Sequence, residues 1–511
     1  MPDHPWVKGS ERAAVRIAMT VAVRGERPGK LAKVAHESEL NSDTPNVQLE
    51  SDEGKITANL RLGADVSKVV ALISNEDVSS PGVKLHGSGF IVEPKTAANL
   101  GLGRIDSLDR HIVRYRNGRD IGQRPRGVMV IDLFGLSIDE VQSKFPAVYQ
   151  HILETVKPER DQNNRESYRK NWWVFGEARS AFRPALKGLD RYIATIETAA
   201  QRFFQFLEHD TLPDNMLVNV AISRGAHLAT LSSRAHWEWV KANASSMGAF
   251  VGPARWTKTR CFDPFPFPTL TDAQSARLDG LGERLDAFRK ERLTEHDFLT
   301  MTDMYNVLER LRELEGGAEV EPLAQKEKDI HEAGLISVLK DIHDEIDREV
   351  FAAYGWEDLG ERLVGRPGAT TPTSHKSEDQ EEAEEELLTR LVALNQERAA
   401  EEKRGLVRWL RPNFQIPRLG HKVSGSEQVE ADLGEAVLIE ERQWPADGLE
   451  QIRTVRDVLA EAEAPLPAEA LATLFKGRTT AKRKARVTEV LQTLVATGAA
   501  REAESGFFLP S

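Results

Sequence analysis

Cysteine is almost absent: Cys261 stands alone in 511 residues. One thiol cannot form an internal disulfide or a cysteine-based zinc site. No run of about 18 apolar residues occurs, so no transmembrane helix is expected. The start, Met1-Pro2-Asp3-His4-Pro5-Trp6, has no apolar stretch behind a basic segment and does not read as a secretory signal. These absences predict a cytoplasmic protein with no membrane partner. Catalytic constellations are missing too. His227 and His236 flank Ser232 and Ser233 but lack the orienting group and oxyanion site of a nucleophile–base system. Pro213-Asp214 lacks the downstream acid-x-Lys element of the common metal-dependent nucleases, and His331 and His343 lie too far apart on a helix to share a metal. The chain is therefore expected to have no catalytic residues of its own and to bind no metal.

Net positive charge is also lacking. The formal charge is -12 and the pI about 5.7, which taken alone argues against nucleic acid as a partner. The distribution differs from the average. Residues 101–260 hold 24 Lys/Arg against 17 Asp/Glu, leaving -19 on the remainder. That is the pattern of a DNA-facing module joined to acidic helices.

What is present arranges itself into six segments. Residues 1–60 alternate apolar and polar from Val15 to Val23, turn at Gly25-Glu26-Arg27-Pro28-Gly29 and resume at Leu31. This predicts a β-hairpin, which on its own is marginal in water and should belong to a larger sheet. Residues 61–268 mix short strands (127–134, 192–196, 203–207, 216–222) with helices at 138–156 and 226–244. They end in Asp263-Pro264-Phe265-Pro266-Phe267-Pro268, where alternate prolines predict an extended, rigid exit. Residues 269–360 are helical, with Leu335, Val338, Leu339, Ile342, Ile346 and Val350 forming one apolar stripe. Residues 361–386 read as a linker ending in an acidic, solvated run, and 387–449 as a helix followed by irregular chain.

Residues 450–511 read as a separate domain: helices at 452–462, 468–475 and 479–496, then a hairpin around Ser505-Gly506. Three helices and a hairpin is the winged-helix order. Lys476, Arg478, Lys482, Arg483, Lys484 and Arg486 cluster at the start of the third helix. They suit DNA phosphate or an acidic protein partner equally.

Several motifs occur in a fixed order. Arg116-Asn117-Gly118-Arg119-Asp120-Ile121 comes first, then Tyr168-Arg169-Lys170-Asn171-Trp172-Trp173-Val174-Phe175-Gly176-Glu177-Ala178-Arg179 within 164–179. Phe182-Arg183-Pro184-Ala185-Leu186-Lys187-Gly188-Leu189-Asp190-Arg191-Tyr192 follows, then Leu231-Ser232-Ser233-Arg234-Ala235-His236-Trp237 and the Phe/Pro run from Cys261. This order resembles the target-recognition region of MmeI-like (type IIG/IIL) restriction–modification DNA methyltransferases. Asp303-Met304-Tyr305-Asn306-Val307-Leu308 and His343-Asp344-Glu345-Ile346-Asp347 resemble that family's helical C-terminal part.

The resemblance covers roughly 1–360. It implies binding of a specific double-stranded DNA sequence and presentation of an adenine for N6 methylation. It also implies S-adenosylmethionine as cofactor, bound outside this chain. The family's glycine-rich cofactor turn and Asn-Pro-Pro-aromatic loop, which would hold the flipped base, do not occur. His86-Gly87-Ser88-Gly89-Phe90 opens no helix, and Asp263-Pro264-Phe265-Pro266 splits its prolines. The expectation is a split subunit or a fragment, working with a separate catalytic methyltransferase subunit, or else a catalytically silent DNA-binding adaptor in phage defence.

The expected fold is α+β: a remnant of a Rossmann-like methyltransferase sheet (1–60), a mixed recognition domain, a helical region and a winged-helix-like end. The residues expected to face DNA are Arg116, Arg119, Arg169, Lys170, Arg179, Arg183, Lys187 and Arg191, with Arg234, Lys258 and Arg260 as a second set and Lys482 and Arg483 in the last domain. Arginine suits both phosphate and guanine contacts, and serves equally as a salt-bridge partner inside a fold. Trp172, Trp173 and Phe175 are expected beneath that surface as core.

Overall fold

The computed structural model describes residues 4–6, 15–21, 29–39, 46–54, 56, 63–246, 253–423, 443–445, 447–461, 466–475, 480–504 and 507–510. It is a mixed α+β protein with several small sheets and many helices. Two compact units interleave in sequence. One holds Met1–Gly82, Arg114–Val128 and Asp190–Ala400; the other holds Val83–Val113, Met129–Leu189 and Glu401–Ser511. The segment 61–268 is therefore shared between the units.

In the first unit, an antiparallel sheet runs in the order Gln205–Glu208, Arg191–Ile196, Leu217–Val220, Ser79–Pro81. Tyr192, Ile193 and Ala194 are buried in succession, as are Leu217, Val218 and Val220, so both faces of the central strands are covered. Beside it, Thr211–Pro213 pairs in parallel with residues 114–116. The helices Gly225–Ser232, Arg234–Asn243, Asp272–Glu295, Met301–Glu315 and Ile336–Tyr354 form the helical part. The expected stripe on Ile336–Tyr354 is present: Leu339, Ile342, Ile346 and Val350 are fully buried. Leu335 falls outside it, in a left-handed conformation (φ 45°) before the helix, and is 42% exposed.

The segment 226–244 is two helices, not one. Ser233 sits between them in extended backbone, and its side chain accepts from the His236 amide as an N-cap. In the second unit the segment 138–156 is likewise split. Pro146 lacks an N–H and cannot continue Ile138–Lys144, so it restarts the chain as the first residue of Pro146–Thr155.

Three expectations fail. Val15–Ile17 pairs with His4–Trp6, and Gly29–Ser38 pairs with Asn46–Gly54, so among the described residues the two expected strands do not pair with each other; the turn at 25–28 lies outside the described residues. The second pairing engages the whole length of Gly29–Ser38, where the expected one would have used only a few residues of it. Among the described residues these are two-stranded pairs, not the edge of a larger sheet.

The acidic run is no linker either. It opens the helix Glu378–Lys403, whose first turn carries Glu378, Asp379 and Glu381, where the helix dipole favours negative charge. Ala383, Leu387 and Leu391, four residues apart, are fully buried, and the preceding loop is buried at Ala369 and Thr370. Nor does the Phe/Pro run lead out of the fold. Phe262 and Phe265 are fully buried, Phe265 packs 4.8 Å from His236 and 4.9 Å from Phe267, and the Asn75 amide donates to the carbonyls of Phe262, Asp263 and Phe265.

In the second unit, the described residues near the C-terminus comprise Gly448–Glu461, Ala468–Thr473 and Ala481–Ala496, with a sheet ordered Leu466–Pro467, Phe507–Pro510, Ala500–Glu504. Val487, Val490, Leu491 and Leu494 pack with Val455, Leu459, Leu471 and Phe508 into one buried cluster.

Candidate nucleic-acid interface

A cation is available to a phosphate only where no carboxylate already neutralises it and its head reaches solvent. That test separates the thirteen expected residues.

Arg234 fails it outright. It begins the helix Arg234–Asn243 and is wholly buried. Its guanidinium donates to the carbonyls of Leu363 (3.0 Å), Arg366 (2.8 Å) and Pro367 (2.8 Å) and to Glu384 Oε1 (2.7 Å). Glu238, one helical turn on, lies 3.7 Å from its Nε. Sequence placed it in a DNA-facing set; the fold uses it as an internal staple.

Arg191 is taken in another way. Its guanidinium holds Glu283 (2.7 Å) and the Ser223 carbonyl and lies 3.8 Å from the centre of the Phe206 ring. The bond to Glu283 raises its pKa above the ordinary value. Lys258 sits 3.6 Å from Asp263, whose carboxyl is pushed up to about 6 by burial, with Glu76 and Asp77 adding to the rise and Lys258 opposing it.

In the second unit, Arg183 forms a two-pronged bond to Asp132 (2.7 and 3.1 Å) and lies over Phe134. Arg179, in a left-handed conformation (φ 56°), pairs with Glu177 at 2.8 Å. Lys170 pairs with Glu166 at 2.9 Å, four residues before it on the helix Glu166–Lys170. Five of these six are mostly buried and held by the fold, while Lys170 and Glu166 form an exposed surface pair.

Arg169, Lys187, Arg260 and Lys482 are exposed and carry no ion pair among the described residues. The Arg169 guanidinium donates only to the Asn163 carbonyl. Arg116 and Arg119 are likewise without a carboxylate. Arg119 Nε donates to Gln123 Oε1 (3.1 Å), while Arg116 is half-buried and donates to the Tyr115 carbonyl at 3.3 Å, its pKa lowered by burial. Arg483 donates to the Phe475 carbonyl and lies 6.0 Å from the Trp444 ring, beside Arg486, which holds Glu489. Lys476 and Arg478 lie outside the described residues.

Sequence reasoning missed Arg165. It is exposed, its guanidinium donates to the Tyr168 hydroxyl (2.8 Å), and among the described residues no carboxylate meets it. Trp172 and Phe175 are buried beneath this segment as expected, and Trp173 donates its indole N–H to the Leu136 carbonyl.

No family model matches the chain, and no curated protein matches it. Among solved structures it is similar to the type IIL restriction–modification enzyme MmeI, determined in complex with DNA: TM-score 0.47, 15% identity, 72% of this chain and 42% of that one covered. The chain thus spans less than half the length of that enzyme.

The interior of the first unit is rich in titratable groups but arranged for packing. His236 is fully buried, its Nδ1 on the Leu231 carbonyl and its pKa depressed to about 3, chiefly by burial. His227 is buried too, at about 4, and the Cys261 thiol is pushed up to about 11. The Ser233 hydroxyl donates to the Thr230 carbonyl and not to His227 or His236. Among the described residues no three His, Cys, Asp or Glu gather at metal-binding distance, and no helix is long and apolar enough to cross a membrane.

Proposed function

We propose that this chain is the duplex-recognition part of an adenine-N6 DNA methyltransferase of the restriction–modification kind. In this reading S-adenosylmethionine and the transfer chemistry are supplied by a separate catalytic subunit. The ordered motifs from Arg116 to the Phe/Pro run support the family. The observation that carries DNA binding is the set of cations without a carboxylate: Arg116, Arg119 and Arg260 in one unit, and Arg165, Arg169 and Lys187 in the other. A chain of net charge -12 that keeps such cations unneutralised within its basic stretch 101–260 has a use for them at an anionic surface.

The test is duplex binding by fluorescence anisotropy at low salt. The triple change Arg165→Ala, Arg169→Ala and Lys187→Ala should weaken binding at least tenfold. Arg183→Ala should leave affinity within about twofold while lowering stability by about 1–3 kcal/mol, because it strands the Asp132 carboxylate. Equal affinity for the triple variant and the parent would refute this interface.

A further inference from the structure

Five arginines fall between positions 114 and 126, all in the first unit: Arg114, Arg116, Arg119, Arg124 and Arg126. Four have a side-chain acceptor. Arg114 pairs with Asp210, the residue just before the neighbouring parallel strand Thr211–Pro213. Arg124 holds Asp297 at 2.8 Å. Arg119 rests on Gln123. Arg126 clasps Asp120 through Nε (2.9 Å) and Nη2 (2.7 Å).

Asp120 accepts in addition from the amides of Asn117 (2.9 Å) and Arg126 (2.8 Å), so its carboxylate is fully engaged. Asp214, at the end of the strand paired with this one, is taken by the Tyr115 hydroxyl (2.6 Å) and the Met216 amide (2.9 Å). The one carboxylate whose charge bears on Arg116 is that of Asp120, already clasped by Arg126; the remaining charges bearing on it are those of Arg114 and Arg126. Its single bond, to the Tyr115 carbonyl at 3.3 Å, leaves most of its five N–H donors unused.

Such a guanidinium is a charge half withdrawn from water with no carboxylate bonded to it among the described residues, the Asp120 carboxylate being committed to Arg126. An outside anion is what completes it. Because the side chain lies half within the surface, it has little reach into a groove, which suits a backbone oxygen and not a base edge. Resting on the duplex-recognition reading above, we infer that Arg116 is a phosphate-positioning residue. It binds one backbone phosphate of the duplex and so fixes the protein's register without reading sequence.

The experiment uses the full chain and two fluorescent duplexes of unrelated sequence, titrated between about 50 and 200 mM salt. Arg116→Ala should weaken both duplexes by the same factor, on the order of tenfold, and lower the slope of log affinity against log salt by about 1. Arg116→Lys should keep the parent slope, because the charge remains, and this guards against reading a misfolded variant as a lost contact. Arg114→Ala, which removes a neutralised cation, should leave the slope unchanged.

An Arg116→Ala variant with parental affinity and slope overturns the inference while leaving the duplex-recognition reading standing. A loss confined to one duplex also overturns it, by making Arg116 a base reader. Failure of the parent chain to bind either duplex at the lowest salt overturns both.

Discussion

At the scale of the residue, the decisive distinction is between arginines that complete the fold and arginines left for something else. Arg234 is the clearest of the first kind: its fork meets three carbonyls and Glu384 with no solvent exposure. Removing it leaves Glu384 and Glu238 with one cation fewer in a buried site, a change that costs about 3–5 kcal/mol. Arg234→Met should therefore lower the urea midpoint sharply. Arg234→Lys should not rescue it, since one ammonium cannot span acceptors arranged for a planar fork. A midpoint close to the parent's in either variant would refute the staple. Asp263 gives a second test, of opposite sign. Its folded pKa, about 6, lies above the ordinary 3.8. Its contribution to stability is thus fully present below pH 3.8 and is lost as pH rises through about 6. An asparagine at this position mimics the protonated acid at every pH. Asp263→Asn should match the parent near pH 4 and exceed it by about 1–3 kcal/mol at about pH 7.5. Denaturation curves at the two pH values check this, and a variant weaker than the parent at the higher pH would show that the Lys258 pair outweighs burial.

At the scale of the element, most of what was legible in the sequence came from periodicity, and most of what was not came from partners distant in the chain. The stripe from Leu339 to Val350 and the apolar set Val487, Val490, Leu491 and Leu494 stand at helical spacing, and both are buried as that spacing requires. The same signal was present in the acidic run, where Ala383, Leu387 and Leu391 recur every four residues, but the density of carboxylates masked it. Pairing of Lys170 with Glu166 was also readable, since four residues on a helix bring them together. The partners of Arg183, Arg191 and Arg234 were not, because Asp132, Glu283 and Glu384 lie 51, 92 and 150 positions away. One crossing makes the point quantitatively. A Cβ on Gly282 would lie 2.1 Å from the Gly225 carbonyl oxygen, and one on Gly225 would lie 2.3 Å from that of Asp279. The helices Gly225–Ser232 and Asp272–Glu295 thus meet backbone to backbone. Helix propensity alone favours alanine over glycine by about 1 kcal/mol. Gly282→Ala should nevertheless destabilise the protein by about 1–3 kcal/mol, because two helices must part to admit the methyl. A stabilised variant in thermal unfolding would place the crossing farther apart than this.

At the scale of the whole molecule, charge and chemistry are separated from each other. The chain carries -12 overall yet leaves several cations unneutralised in one region, so under the proposed function attraction to DNA is local and must compete with repulsion from the rest. Such an interface depends strongly on salt, since each phosphate contact releases condensed counterions. Binding is one requirement of methyl transfer; the others are a cofactor turn and a polar-Pro-Pro-aromatic loop to hold the flipped adenine. The two closest approaches in sequence are both structurally committed elsewhere. Phe90 is fully buried and packs 5.1 Å from Phe175, and a Cβ on Gly89 would lie 2.5 Å from Thr155 Oγ1, so His86–Phe90 is a packed turn and not a cradle. Phe265, the aromatic of Asp263-Pro264-Phe265-Pro266, is fully buried against His236 and Trp239, where no base can stack on it. Under the proposed function the chain alone should bind duplex without modifying it. Incubated with radiolabelled S-adenosylmethionine and mixed-sequence duplex, it should incorporate no label above a no-protein control, and label should appear only when a polypeptide carrying both motifs is added. Incorporation by the purified chain by itself would sink the division of labour proposed here, and would mean that a transfer site exists among residues that show none of the usual chemistry.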